Sequence, residues 1–356
     1  MSEQFSGTME VRDKHRFDEE RLAEYLTAQV AGFAGPLSVE QFKGGQSNPT
    51  YKLMTPGQNY VLRRKPPGKL VKSAHAVDRE YRVITALANT DVPVAKTFCL
   101  CEDESIIGTA FYVMDCVEGR VLWDPTLPEI SRDERGAYYA EMNRVIAALH
   151  QVGIDAVGLT DYGKHGDYFA RQISRWGKQY LATDVERIEA MDKLIEWLPS
   201  NIPAEDDTSI VHGDYRLDNM IFHPTEPRIL AVLDWELSTL GHPLADFSYH
   251  CMVYHMPNAG ALRGLSGQDL EGLGIPAESD YVRDYFAAVG KPAPGQDEWD
   301  FYMAYNFFRM AGILHGILVR VAAGTAASKQ ASAMGALARP CAELGWQKVQ
   351  QIQARG

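Results

Sequence analysis

The sequence predicts an α+β fold of two lobes, a small β-rich lobe followed by a larger helical one. Three observations predict it. Between residues 37 and 116, short apolar runs alternate with turn residues and carry the period of two expected of strands. Beyond residue 116 the pattern becomes mainly helical. At 356 residues the chain is also long enough for two lobes with substantial cores. The division falls at residues 115–119, giving residues 1–115 as the N-lobe and 116–356 as the C-lobe.

In chain order, residues 18–33 read as a helix with Leu22, Tyr25, Leu26 and Val30 on one side. Residues 37–42, 50–55 and 60–65 read as strands. Between the first two lies Lys43-Gly44-Gly45-Gln46-Ser47-Asn48-Pro49, a glycine turn whose backbone amides can form a nest for phosphate oxygens. No Gly-Lys-Ser/Thr follows, which excludes a P-loop. In the third strand Val61 and Arg63 share one face, Leu62 and Arg64 the other. Residues 74–88 form a helix whose stripe is Val77, Tyr81, Ile84 and Leu87. Glu80 falls on or beside that stripe and requires a cationic partner, for which Arg63 is the candidate. Residues 92–101 and 110–116 complete the small sheet. Helices follow at 131–150 (with a Ser131/Glu134 capping box), 167–181, 184–198, after Gly241-His242-Pro243, and at 279–289, 297–322 and 328–353.

One stretch carries the chemistry, residues 209–236. Ile210-Val211 lead into His212-Gly213-Asp214, and five residues later comes Asn219. A hairpin follows, with arms 220–222 and 229–233 and a turn containing two prolines. Antiparallel pairing is expected to bring Asn219 and Asp234 to one open end, within about 5 Å of each other. Hard oxygen ligands of this kind suit Mg²⁺, completed by waters and phosphates. A solvated loop would explain the turn residues but not three oxygen-bearing side chains directed to one place. The order His-x-Asp-x4-Asn, hairpin, Asp is the catalytic layout of kinases with the protein-kinase fold. Asp214 would then orient the acceptor hydroxyl, while Asn219 and Asp234 hold metal.

The wording HGDYRLDN, then LDWE, then GHPLADFSY resembles the aminoglycoside phosphotransferase and choline kinase group. Within it, the chain is similar to the kinase-like domains found alone in bacteria or fused to acyl-CoA dehydrogenases. The resemblance runs from about Phe42 to beyond Arg309. It implies a protein-kinase-like fold, ATP and Mg²⁺ as cofactors, and a small-molecule hydroxyl acceptor. It places Gly45, Gln46 and Ser47 over ATP. Arg63 stands where the family has a phosphate-binding lysine, paired to the helix glutamate, Glu80. The connection from Met114 to Cys116 would receive adenine through its backbone, and Asp246 would accept hydrogen bonds from the catalytic-loop amides. Trp235-Glu236 stands in place of the Phe-Gly that follows the metal-binding Asp in protein kinases, so no switch of that type is implied. A hydroxyacyl acceptor is implied by the acyl-CoA dehydrogenase likeness alone, since fold does not fix substrate.

A formal net charge of −12 argues against nucleic acid or an anionic membrane as partner. The five cysteines include no CxxC pair and suit a reducing compartment. The N-terminus lacks an apolar signal region, and the expected location is cytoplasmic. Residues 305–327 are interrupted by Arg309, His315 and Arg320, as in a buried helix rather than a membrane span. Arg309 in that helix needs an anion: a protein carboxylate, Glu236 or Asp246, or an acidic group on the acceptor. The rival from another class is a nucleotide-binding pseudokinase serving as an interaction module, favoured by Arg63 in place of lysine. A phosphohydrolase is a third reading.

Overall fold

The computed structural model describes residues 7–43, 48–68, 75–258, 263–324 and 331–356. The chain forms two units, one of Met1–Trp123, Asp155–Leu159 and Leu217–Ser238, the other of Asp124–Ile154, Thr160–Arg216 and Thr239–Gly356.

In the first unit, period-two alternation builds a six-stranded antiparallel sheet of order β1-β2-β3-β4-β6-β5. Its strands are β1 (Thr8–Met9), β2 (Ser38–Phe42), β3 (Thr50–Met54), β4 (Asn59–Arg64), β5 (Thr97–Cys101) and β6 (Phe111–Asp115). Tyr51 and Leu53 of β3 are fully buried while their neighbours are not. They join Leu22 and Leu26 of the helix Glu19–Gln29, with Leu62, Phe111 and Val113, in one apolar core. Asp18 caps that helix by accepting from the Arg21 amide at 3.0 Å. The helix stops short of residue 33 because Val30 turns extended and Gly32 takes a left-handed φ of 83°. β5 begins at Thr97 rather than residue 92: Pro93 has no N–H for a ladder, and its carbonyl instead accepts from the Val232 amide at 2.9 Å. The helix Val77–Leu87 turns Val77, Glu80, Val83, Ile84 and Leu87 inward. Glu80 thus lies on the buried stripe, and Tyr81 is only partly buried beside it.

The second unit is helical apart from β7 (Ser209–Val211), paired antiparallel with β10 (Thr239–Gly241). Its long helix, Gln296–Ala322, buries Trp299, Phe301, Tyr302, Tyr305, Phe307 and Phe308. Among the described residues no helix is long and apolar enough to cross a membrane. Two helix expectations are corrected. Ser131 bonds the Glu134 carboxylate instead of a helix amide, so no capping box forms at Arg132–Gln151. The expected helix 328–353 is two helices, Ala331–Gly335 and Ala338–Arg355, with residues 328–330 outside those described. Pro340 explains the break: it has no N–H for the preceding turn and is tolerated only in the first turn of a new helix.

Candidate functional site

In the first unit the hairpin of β8 (Met220–Phe222) and β9 (Ile229–Val232) pairs Met220 with Val232. The next residues out are therefore Asn219 and Leu233, joined by Leu233 N–H to the Asn219 carbonyl at 2.8 Å. Asn219 thus opposes Leu233 and not Asp234 as expected from the sequence. Asp234 steps off the ladder with φ 63° and ψ 58° into the short helical turn Trp235–Leu237. A left-handed aspartate is unfavourable by about 1–2 kcal/mol, a cost characteristic of functional turns. Trp235, fully enclosed, donates its indole N–H to the Val232 carbonyl at 2.9 Å and fixes the turn.

This turn delivers carboxylates to Arg63 of β4. Arg63 Nε lies 2.8 Å from Glu80 Oε2, and Nη2 lies 2.7 Å from Asp234 Oδ1 and 3.3 Å from Glu236 Oε2. The contact with Glu80 is a charge pair rather than an aligned hydrogen bond, because the Nε proton has no acceptor along its direction. Burial pushes the Glu80 carboxyl upward from its ordinary range, with Arg63 pulling it back. For Arg63 the balance is the reverse: burial would lower its pKa, but Glu80 and the other anions outweigh this and raise it. Glu80 also accepts from Tyr112 Oη at 3.2 Å and Asn48 Nδ2 at 2.8 Å.

One guanidinium against three carboxylates leaves an excess of negative charge. Asp234, 36% exposed, and the nearby Asn219 offer hard oxygens of the type Mg²⁺ prefers, one or two carboxylates plus waters and phosphates. The donor set fits the ion. Among the described residues no group of three or more His, Cys, Asp or Glu could hold a metal by itself, so phosphate oxygens and water would complete the shell. Met114 lies in β6 opposite Val61, and Cys116 just beyond that strand is half-buried, with its thiol pushed up by burial. Gly45, Gln46 and Ser47 lie outside the described residues.

Asp214 is built by the second unit. β7 brings the chain into His212-Gly213-Asp214, where Gly213 turns with φ 83°. Fully buried Asp246 accepts from the His212 amide at 2.6 Å and the Gly213 amide at 2.9 Å, with His150 Nε2 at 3.4 Å. Burial alone would raise the Asp246 carboxyl; His150 and the His212 amide outweigh it and hold the group below its ordinary value. Asp214 Oδ1 receives Tyr249 Oη at 2.6 Å and lies 3.1 Å from Arg216 Nε. Arg309 donates from Nη2 to the Gly213 carbonyl at 2.7 Å and stacks 5.0 Å over the Tyr249 ring.

Of the two protein carboxylates the sequence offers to Arg309, Glu236 or Asp246, neither takes that part: Asp246 is engaged by amides, and Arg309 bonds a carbonyl. Glu236, the other carboxylate considered, stands with Arg63. Tyr249, His150 and Asn48 escaped the sequence reading. Tyr249, inside GHPLADFSY, and Asn48, inside residues 43–49, lay in stretches already singled out.

The model of the phosphotransferase enzyme family matches residues 38–283. Acyl-CoA dehydrogenase family member 10 of Mus musculus is 46% identical over 342 residues, which are 96% of this chain and 32% of that protein. The chain thus spans less than half the length of the curated relatives it matches. A crystal structure from Ralstonia eutropha JMP134, provisionally assigned as an aminoglycoside phosphotransferase, shares 59% identity with a TM-score of 0.88, covering 94% of this chain and 99% of that one. A thermostable mutant of the aminoglycoside phosphotransferase APH(4)-Ia, in ternary complex with AMP-PNP and hygromycin B, is 14% identical with a TM-score of 0.58, covering 92% and 98%. At that identity the likeness is one of fold, and the fold is the α+β, two-lobed one of these phosphotransferases.

Proposed function

The chain belongs to the phosphotransferase enzyme family, and on that premise we propose that it is an ATP-dependent small-molecule kinase transferring the γ-phosphoryl group to an acceptor hydroxyl. The observation that carries this reading is the convergence of Glu80, Asp234 and Glu236 on Arg63. A cation held between a helix carboxylate and the residue after a hairpin is the arrangement that receives nucleotide phosphates in kinases.

Catalysis in such a site is positioning and electrostatics. Arg63 supplies fixed positive charge toward phosphate oxygens, and its planar fork can contact two of them. Asn219 and Asp234 would hold Mg²⁺, which when bound neutralises phosphate charge. Asp214 accepts or orients the acceptor hydroxyl proton, and Tyr249 and Arg216 hold its Oδ1 while it does so. Asp246, by gripping the His212 and Gly213 amides, keeps the loop that carries Asp214 in place. Residues 1–115 are assigned to nucleotide binding and residues 116–356 to the catalytic loop and the acceptor, with backbone at Met114–Cys116 taking the adenine.

For the acceptor, Arg309 supports an acidic compound. It is a buried cation that bonds a carbonyl and stacks on an aromatic face, and among the described residues no carboxylate lies within ion-pair distance of it. A hydroxyacyl compound combines the hydroxyl and the anionic or polarised carbonyl that this site would take. The kinship with acyl-CoA dehydrogenase family members supports that class.

Asp214→Asn tests the assignment. Affinity for Mg-AMP-PNP, measured by calorimetry, is expected to stay within about threefold of wild type. Phosphoryl transfer to whichever hydroxy acid or thioester of a panel serves the wild type is expected to fall by roughly 10²–10⁴. Wild-type transfer rates in the variant would refute the role of Asp214. ATP consumption with no phosphorylated product from any acceptor would instead favour a hydrolase.

A further inference from the structure

We propose that Asn48 is a positioning residue of the nucleotide site, fixing the Glu80 carboxylate and through it the direction in which Arg63 presents its guanidinium. The inference rests on the kinase reading above, because it assigns Arg63 to nucleotide phosphates.

Asn48 stands two residues before β3, yet it is fully buried. An asparagine just outside a strand is ordinarily solvated, so this one is held for its amide. The amide of Asn48 sets the direction of its hydrogen bonds. Its nitrogen donates to Glu80 Oε1 at 2.8 Å. The amide oxygen then faces His75 Nδ1 at 3.0 Å, and since an amide oxygen cannot donate, His75 must carry its proton on Nδ1. The chain of donors runs one way, from His75 to Asn48 to Glu80. His75 is itself held with φ 63°, a conformation rarely taken by a residue with a Cβ and a mark of imposed geometry.

The two oxygens of Glu80 have separate partners. Asn48 takes Oε1, while Tyr112 Oη at 3.2 Å and Arg63 Nε at 2.8 Å share Oε2. Rotation of the carboxylate would break one set or the other. The same planar guanidinium, with Glu80 against Nε on one side, turns Nη2 to Asp234 and Glu236 on the other. The attraction between Arg63 and Glu80 needs no amide, so the contribution of Asn48 is direction. One side chain thereby ties together the start of β3, the residue two before the helix Val77–Leu87, and the charge pair assigned to phosphate.

A reversal of donor and acceptor tests this. Affinity for Mg-AMP-PNP is measured on the full chain by calorimetry well below each variant's melting temperature, which is recorded separately. Asn48→Leu, which lacks the donor, is expected to bind at least tenfold more weakly than wild type. Asn48→Asp keeps the shape but sets a carboxylate against Glu80, and is also expected to lose at least tenfold. Adding Glu80→Gln to Asn48→Asp restores one donor and one carboxylate across the contact, and, although the charge pair with Arg63 is lost, is expected to bind at least threefold more tightly than Asn48→Asp alone.

A role confined to packing would lower melting temperatures while leaving affinity within twofold, and that outcome overturns the proposal, as does a double variant no better than Asn48→Asp. Should these variants fail to fold, nitrogen-15 NMR of the wild-type protein above pH 7 decides. His75 is expected as the Nδ1–H tautomer, and the Nε2–H tautomer would overturn the donor chain. If wild-type protein itself does not bind Mg-AMP-PNP, the kinase reading falls, and this inference with it. Wild-type binding with unaffected variants sinks the inference alone.

Discussion

Replacing Asp246 should detach the loop that carries Asp214. The carboxylate is buried and holds two backbone amides, those of His212 at 2.6 Å and Gly213 at 2.9 Å, besides His150. In Asp246→Leu both amides lose their acceptor where water does not reach, at about 1–3 kcal/mol each. The expected loss of stability is therefore roughly 2–6 kcal/mol. Asp246→Asn keeps one carbonyl oxygen but turns an NH₂ toward the second amide, so about half that loss, roughly 1–3 kcal/mol, is expected.

Urea unfolding of the full chain measures the totals, and hydrogen exchange of the His212 and Gly213 amides shows whether the loss is local. The pH dependence has a definite sign. The Asp246 carboxyl is held low in the folded protein, so its contribution is fully present above the unfolded value of about 4 and is lost as pH falls through the lower folded value. The gap between wild type and Asp246→Asn should thus be constant from pH 5 to 8 and narrow only in acid. Asp246→Leu within about 0.5 kcal/mol of wild type, with both amides still protected, would refute this account.

Two further outcomes are expected. Burial lowers both His242 and His250 to about 4, from an ordinary value near 6.5, so each stays neutral in the folded protein. The unfolded chain binds more protons between those values, and stability is expected to decline as pH falls from about 6.5 to 4. His250 is hydrogen-bonded to Tyr281 at 2.7 Å and packs against Tyr215, and the Asp246 carboxylate acts on it in the raising direction, outweighed by burial. His250→Gln should flatten the decline in urea midpoints across this range, and an unchanged slope would exclude His250 as its source. Arg309→Met should raise KM for an acidic acceptor at least tenfold while leaving KM for ATP within about twofold. Equal effects on both, or efficient phosphorylation of polycationic aminoglycosides by the wild type, would remove Arg309 from acceptor binding.

Much of the site was legible because its parts are close in sequence or obey a short period. Asn219 and Asp234 flank one hairpin, and hairpin closure brings its ends together whatever surrounds it. Alternation put Arg63 on a different strand face from Arg64. The helical period put Glu80 on the inward stripe, where a buried carboxylate demands a cation. The aromatic helix around Arg309 was legible as buried for the same reason.

Only the tertiary structure decided which partners those groups take. Register moved Asp234 off the ladder into a left-handed turn, since pairing Met220 with Val232 leaves Leu233, not Asp234, opposite Asn219. Glu236 went to Arg63, 173 residues away, and Arg309 took a carbonyl 96 residues away instead of a carboxylate. Asn48 found Glu80 across 32 residues, although nothing in the neighbouring sequence distinguishes it from a solvated asparagine. A sequence period fixes which face a side chain occupies, because backbone geometry repeats within an element. The identity of the partner depends on which elements pack together, and that is set by burial summed over the whole core, which no local spacing records.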